Sequence, residues 1–283
     1  MSGPRNAETT LGGRTYTFRG QSVPSVTTIL KAYPKPGLLV WSAKEAAKLA
    51  VAAIRAGKTS KDVLAQLAED AWHAHEATIT HQTRHKKTCD FTPDVVNWIA
   101  GAHTRIRDEA GARGDAVHKA AERDADLSDV PEKARAAYLS YRQWVEDYQP
   151  VILAKEFQVF DDTDEFGGSG DLIAEVNGLN YLIDLKSSRS IHNDTRLQLA
   201  AYRYAQDCIV GDEYDEVANE AKGWVERTAI LHLTDEGYSF VEVEAGFEEY
   251  QRFTDVKRVW EFAAANDDRK GVGVVVKPPA RAA

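Results

Sequence analysis

The chain changes its hydrophobic rhythm about halfway along. From Gly37 to Glu122, apolar residues recur at three- and four-residue spacing among alanines, the stripe of an amphipathic helix. Residues 38–55, 61–80 and 93–107 carry it most clearly, and Pro93 suits a first helical turn, where its missing N–H costs nothing. A further helix is predicted over 132–148, ended by Pro150. The pattern then shortens to that of strands at 154–160, 170–176 and 179–185, followed by a helix over about 194–210 and strands at 228–233 and 239–244. The closing stretch, 247–265, reads as a helix with Phe247, Tyr250, Phe253, Val256, Val259, Trp260 and Phe262 available for burial. Near the start, residues 14–18 and 21–23 form a predicted hairpin around Arg19-Gly20, and Ser25 caps a helix beginning at Val26. These elements predict an α/β core with a helical N-terminal extension.

One turn signal fixes a register. Asn177-Gly178 is the residue pair that best tolerates the two positive φ values of a two-residue type I′ turn. Val176 then faces Leu179, and counting outward places Ile173 opposite Leu182, Asp171 opposite Asp184 and Ser169 opposite Lys186. Because side chains alternate faces, Asp171, Asp184 and Lys186 should all project from one side of the sheet. Two ionised carboxylates ~5 Å apart repel by about 3 kcal/mol at an effective dielectric near 20, which opposes folding unless something offsets it. A divalent cation would do so directly. Lys186 as a simple ion-pair partner is the alternative.

The run Gly167-Gly-Ser-Gly-Asp171 followed by Ile183-Asp184-Leu185-Lys186 resembles the PD-(D/E)XK nucleases, with Gly170 where the family name has Pro. Three further pieces match the RecB-like exonuclease branch in order. They are Arg113-Gly-Asp-Ala-Val-His118-Lys-Ala-Ala-Glu122, Glu156 on the first strand, and Gln198-Leu-Ala-Ala-Tyr202 downstream, so that the match covers about residues 112–205. Val23-Pro-Ser-Val-Thr-Thr-Ile-Leu30 is a shorter likeness to phage exonucleases and mitochondrial genome maintenance exonucleases. The resemblance implies a mixed central sheet flanked by helices at 111–266, a mainly helical extension at 1–110 arching over the active site, and a loose tail at 267–283. It implies one or two Mg²⁺ or Mn²⁺ ions held by Asp171, Asp184, the Leu185 carbonyl and His118, with Glu156 assisting. Glu122 would orient or cap. Lys186 would position the attacking water, and Gln198 and Tyr202, four apart on one helix face, would hold carboxylates or phosphate. Read without the family, His118 is a lone helical histidine, Gln198 and Tyr202 a polar helix edge, and Glu156 a strand residue of unfixed register.

Composition narrows the setting. The formal charge is −9, so any polyanion must be held by local basic groups such as Arg84, Lys86, Lys87, Arg105, Arg107, Arg113, Arg196 and Arg203, most of which also serve as ordinary surface charge. Trp41, Trp72 and Trp98 could stack bases or pack a core. Cys89 and Cys208 are the only cysteines, too few for an iron–sulfur cluster or a disulfide framework. The start of the chain lacks an apolar signal region and no stretch is long and apolar enough to span a bilayer, which places the protein in the cytoplasm, of a bacterial host if phage-encoded. His73, His75, His81, His85 and Cys89 form a competing set, three of them at helical spacing suited to zinc. The expected function is a metal-dependent DNA exonuclease of recombination, repair or replication. A structure-selective or restriction-type endonuclease and a non-catalytic nucleic-acid-binding module are the alternatives.

Overall fold

A computed structural model describes residues 14–55 and 101–265. The zinc candidates His73 to Cys89, Trp72, Trp98 and the tail 267–283 lie outside the described residues. The chain divides into two compact units, Lys35–Ala112 and a second that joins Met1–Pro34 to Arg113–Ala283. The smaller unit holds helix α2 (Pro36–Arg55), where the half-buried Trp41 meets His103 edge-on at 6.4 Å between ring centres.

The larger unit begins with a hairpin, β1 (Thr15–Phe18) and β2 (Gln21–Pro24), turned by Arg19 and Gly20 at positive φ. Ser25 caps α1 (Val26–Ile29) by accepting the Thr28 N–H. The sequence alone grouped this segment with the helical extension. It belongs to the core instead, because Val26, Ile29 and Leu30 are buried against Phe166, Ile173 and Leu182. After α3 (Ala102–Arg123) comes α4 (Glu132–Tyr148), whose stripe Ala134, Ala137, Tyr138, Tyr141 and Trp144 follows the helical period. It stops at Gln149, which turns left-handed ahead of Pro150.

A mixed seven-stranded sheet forms the centre, in the order β7-β6-β3-β4-β5-β8-β9. Its long members are β3 (Val151–Asp161), β4 (Phe166–Val176), β5 (Leu179–Lys186) and β8 (Arg227–Leu233), and only the β5/β8 pair is parallel. The β4–β5 turn is the tight one expected, with Asn177 and Gly178 at φ 53° and 80°. Five pairs from Val176↔Leu179 to Leu172↔Ile183 hold the expected register. Helix α5 (Asp194–Tyr204) is shorter than its periodicity implied. The buried Asp161 carboxylate takes the Gln206 N–H, and the next residues leave the helix to pair with β3 as β6 (Asp207–Val210). A two-residue edge strand, β7 (Glu213–Tyr214), and helix α6 (Glu216–Gly223) follow, both unseen in the sequence pattern.

Helices cover both faces. Side chains of Leu172, Ala174, Ile183 and Leu185 pack with α3 and α4. Ile173, Leu182 and Ile230 pack on the other side with α1, α5, α6 and α7 (Phe247–Ala265). In α7 the buried stripe is narrower than its apolar content: Phe253 is fully buried, whereas Phe247, Val259 and Phe262 are exposed. Strand β9 (Tyr238–Glu242) closes the sheet beside β8.

Beyond a register shift between Ile152 and Ala154, strict alternation in β3 fails again at Glu156. Lys155 bonds Ala121 and Asp124 on the α3 side, Glu156 between them takes a left-handed φ of 48°, and Phe157 lies in the core of the opposite face. Across the ladder, Gly170 packs beneath the Phe157 ring, so closely that a Cβ there would lie 2.3 Å from the ring. A side chain at 170, proline included, is excluded by that contact. Gly170→Ala is therefore expected to cost about 1–3 kcal/mol in urea unfolding, and a Phe157→Leu partner change should recover part of it; additive losses would refute the contact as the cause.

Candidate active site

The break in alternation assembles the site. With Glu156 left-handed, its carboxylate turns toward α3, and Asp171 on the neighbouring strand does the same. His118, one turn before Glu122 on α3, places Nδ1 3.1 Å from Asp171 Oδ1 and 3.8 Å from Glu156 Oε1. One ligand atom from each of His118, Glu156 and Asp171 lies within 4.8 Å of the others, and all three residues are half-buried. They line a cleft with Glu122, Lys155 and the apolar walls of Leu172 and Leu185.

The β4–β5 ladder stops one step short of Asp171 and Asp184. In its place, the Leu185 N–H donates to Asp171 Oδ2 at 2.7 Å, so a side-chain carboxylate substitutes for a strand carbonyl. This corrects the expectation that Asp171, Asp184 and Lys186 project together from one side. Asp184 and Lys186 keep the parity of Leu182, on the α5 side, while Asp171 swings to His118 on the α3 side. Asp184 accordingly stands outside the His118–Glu156–Asp171 group and is engaged by Lys186. Lys186 Nζ donates to Asp184 Oδ1 at 2.9 Å and sits 2.8 Å from Oδ2, off the line of a hydrogen bond. Asp184 Oδ2 is thus closed to solvent without a donor.

On the α5 side, Gln198 Nε2 donates to the Tyr202 hydroxyl at 3.1 Å and neither side chain reaches the carboxylates. The Tyr202 ring presses on Gly168, where a Cβ would fall 2.3 Å from it. Tyr16 of β1, absent from the residues singled out by sequence, packs its Cβ over Gly167, and its phenol acts electrostatically on Tyr202. Lys155 was also missed. Its ion pair with Asp124 joins β3 to the turn that follows α3, across 31 residues, and no spacing rule could have marked it.

Burial opposes charge on Asp171, Asp184, His118, Lys186 and Tyr202, and neighbours decide the outcome. Asp184 is pushed up to about 6 by burial and by the charge of Asp171, against the pull of Lys186. Asp171 resists the same burial and stays below the ordinary carboxylate range because of His118, Lys186 and the Leu185 N–H. Burial disfavours the cationic forms of His118 and Lys186, yet the surrounding carboxylates carry both above their usual values, His118 strongly. Burial, Tyr16 and Asp184 raise the Tyr202 phenol well above its usual range.

The donor set fits a divalent cation. One imidazole nitrogen and two carboxylates converge, with ligand atoms within 4.8 Å of one another. Oxygen donors suit Mg²⁺ and Mn²⁺, and the imidazole leans toward Mn²⁺.

No family model matches the chain, and no curated protein matches it. Among solved structures, the crystal structure of SSO0001 aligns at 13% identity and a TM-score of 0.32, covering 57% of this chain and 64% of that one. This chain thus spans less than two-thirds of that protein's length, and a likeness at that level carries no argument. No helix among the described residues is long and apolar enough to cross a membrane.

The left-handed Glu156 yields a stability test. A non-glycine residue in that conformation costs about 1–2 kcal/mol, which glycine avoids. In the metal-free protein, Glu156→Gly should be more stable to urea than Glu156→Ala by about 1 kcal/mol; the reverse order would remove backbone strain from the account of this site.

Proposed function

We propose that this chain is a metal-dependent DNA exonuclease of the PD-(D/E)XK superfamily, RecB-like branch, with a restriction-endonuclease-like core. The observation that carries the reading is the convergence of His118, Glu156 and Asp171 to within 4.8 Å beside the Lys186–Asp184 pair. Those residues come from a helix and three strands and match, one by one, the positions that the sequence resemblance marks.

In this reading His118, Glu156, Asp171 and Asp184 hold one or two Mg²⁺ or Mn²⁺ ions, with the Leu185 carbonyl available next to them. What the ion supplies when bound is positive charge against the phosphate and a more acidic attacking water. The remaining work belongs to the chain. The Leu185 N–H, joined by His118 until a cation displaces its proton, keeps Asp171 ionised and aimed into the cleft. Lys186, 27% exposed at its side chain, presents an ammonium that can orient the attacking water and offset charge growing on the phosphate. Gln198 and Tyr202 form a polar pair on the α5 side, where a strand's sugar-phosphate would pass. The substrate is DNA with a free end or a single-stranded stretch, and the setting is recombination, repair or replication in the cytoplasm.

Metal affinity should depend on pH in a definite sense. Asp184, at about 6 in the folded protein against its ordinary 3.8, binds its proton more tightly when folded. That group therefore contributes stability at low pH, and the contribution shrinks as pH rises from about 4 through 6. A cation must displace this proton and the one on His118. The rise in melting temperature on adding Mn²⁺ is expected to grow from pH 5.5 to pH 8; a shift that is flat or falls with pH would count against these ligands.

The decisive assay is digestion of end-labelled linear and covalently closed circular DNA with Mg²⁺ or Mn²⁺. Degradation of the linear form alone is expected, Lys186→Ala should lose cleavage by at least about 10²-fold while still binding DNA, and Asp184→Ala should be inactive. Cutting of the circle would make the protein an endonuclease, and binding without cleavage in the unaltered chain would make it a binding module.

A further inference from the structure

Arg113 lies five residues before His118 on α3, about 7.5 Å away along the helix axis. Its neighbour Gly114 sits against the residue that follows Lys186: a Cβ on Gly114 would lie 3.4 Å from Ser187 Oγ. This turn of α3 therefore adjoins the end of β5 that bears Lys186. Arg113 Nη2 pairs with Asp235 Oδ1, and Arg113 Nε is closed to solvent with no acceptor. A guanidinium presents a fork suited to two oxygens of one anion, and a buried donor left unmatched is unfavourable. The pairing with Asp235 thus fills one prong and wastes another.

Asp235 is placed to leave. Its side chain is 61% exposed, whereas that of Arg113 is 27% exposed. It stands on the β8–β9 turn, which is rigid without it: the Thr234 N–H and hydroxyl both donate to the Gly237 carbonyl, and Ser140 Oγ donates to the Thr234 carbonyl. Nothing in that set of bonds uses the Asp235 carboxylate, so its release returns one carboxylate to water and leaves the turn intact.

We propose that Arg113 is a clamp for a backbone phosphate of the nucleic-acid strand, adjoining the scissile position, and that Asp235 masks it until a strand displaces the carboxylate. The proposal rests on the nuclease reading. Once Asp235 has left the fork, a phosphodiester oxygen pair can take both Nε and Nη2, which satisfies the idle donor, while Asp235 exchanges one partner for solvent. Masking prevents a lone arginine from holding small anions and admits a polyanion, whose many phosphates outcompete a single carboxylate.

The test is fluorescence-anisotropy binding of a short labelled single-stranded DNA to the full chain across a salt series, with Ca²⁺ present and the strand checked intact afterwards. Asp235→Asn is expected to bind about three- to tenfold more tightly than the unaltered chain. Arg113→Gln should weaken binding about tenfold and reduce the slope of log K against log salt by about one. The double variant should match Arg113→Gln alone, because without the clamp there is nothing to unmask. Arg113→Lys, which keeps the charge and loses the fork, should fall between and serves if Arg113→Gln does not fold. A merely structural ion pair predicts lower melting temperatures and unchanged affinity. If the unaltered chain binds DNA and Asp235→Asn binds no more tightly, the masking is overturned and the nuclease reading stands; if neither binds, both fall. Inorganic phosphate at millimolar concentration should displace DNA from neither protein appreciably, and strong competition would assign the fork to a free anion instead.

Discussion

The constraint on which this structure depends is the concentration of carboxylates where a sheet is half-closed to water. Glu156 and Asp171 meet at the middle of β3 and β4, Asp184 follows near the end of β5, and Asp184 is 3% exposed. Like charges in such a place repel and lose hydration, so each needs a partner for the fold to hold. Asp171 has the Leu185 N–H and His118, and Asp184 has Lys186. Both oxygens of Asp184 lie within 2.9 Å of the one Lys186 ammonium.

The backbone accommodates that demand by abandoning regularity. Glu156 turns left-handed within β3, which lets Lys155 and Glu156 both serve the α3 side while Phe157 returns to the opposite core. The glycines of β4 answer the same need from across the ladder, since Gly168 and Gly170 leave room for the Tyr202 and Phe157 rings. Function and packing are therefore joined through a few positions. The rings that fill the core determine where side chains must be absent, and the absent side chains let the carboxylates turn.

The site also draws on both helical layers. His118 arrives from α3, over one face, while Gln198 and Tyr202 arrive from α5, over the other. Lys186 and Asp184 sit between them at the end of β5. Arg113, paired with Asp235, precedes His118 by five residues on α3.

Much of this was legible in the residues themselves. The Asn177-Gly178 turn set five strand pairs because its chemistry is local, and the helical period of 132–148 returned a helix with those bounds because its buried stripe is unbroken. Asp171, Asp184 and Lys186 were also named from the turn register, whereas His118 and Glu156 rested on the family resemblance and the register of Glu156 was not readable. Tertiary structure decided which of them meet. Period-two counting put Asp171 beside Asp184, but there a side chain took the place of a backbone hydrogen bond, and on β3 a left-handed residue turned Glu156 toward α3, two events that no alternation pattern encodes. It likewise ended α5 at Tyr204: the Ala205 amide still closes on Ala201, and the Gln206 amide goes instead to the carboxylate of Asp161, more than 40 residues earlier. Local chemistry fixed the elements; the balance of buried charge, which exists only once distant segments touch, fixed the site.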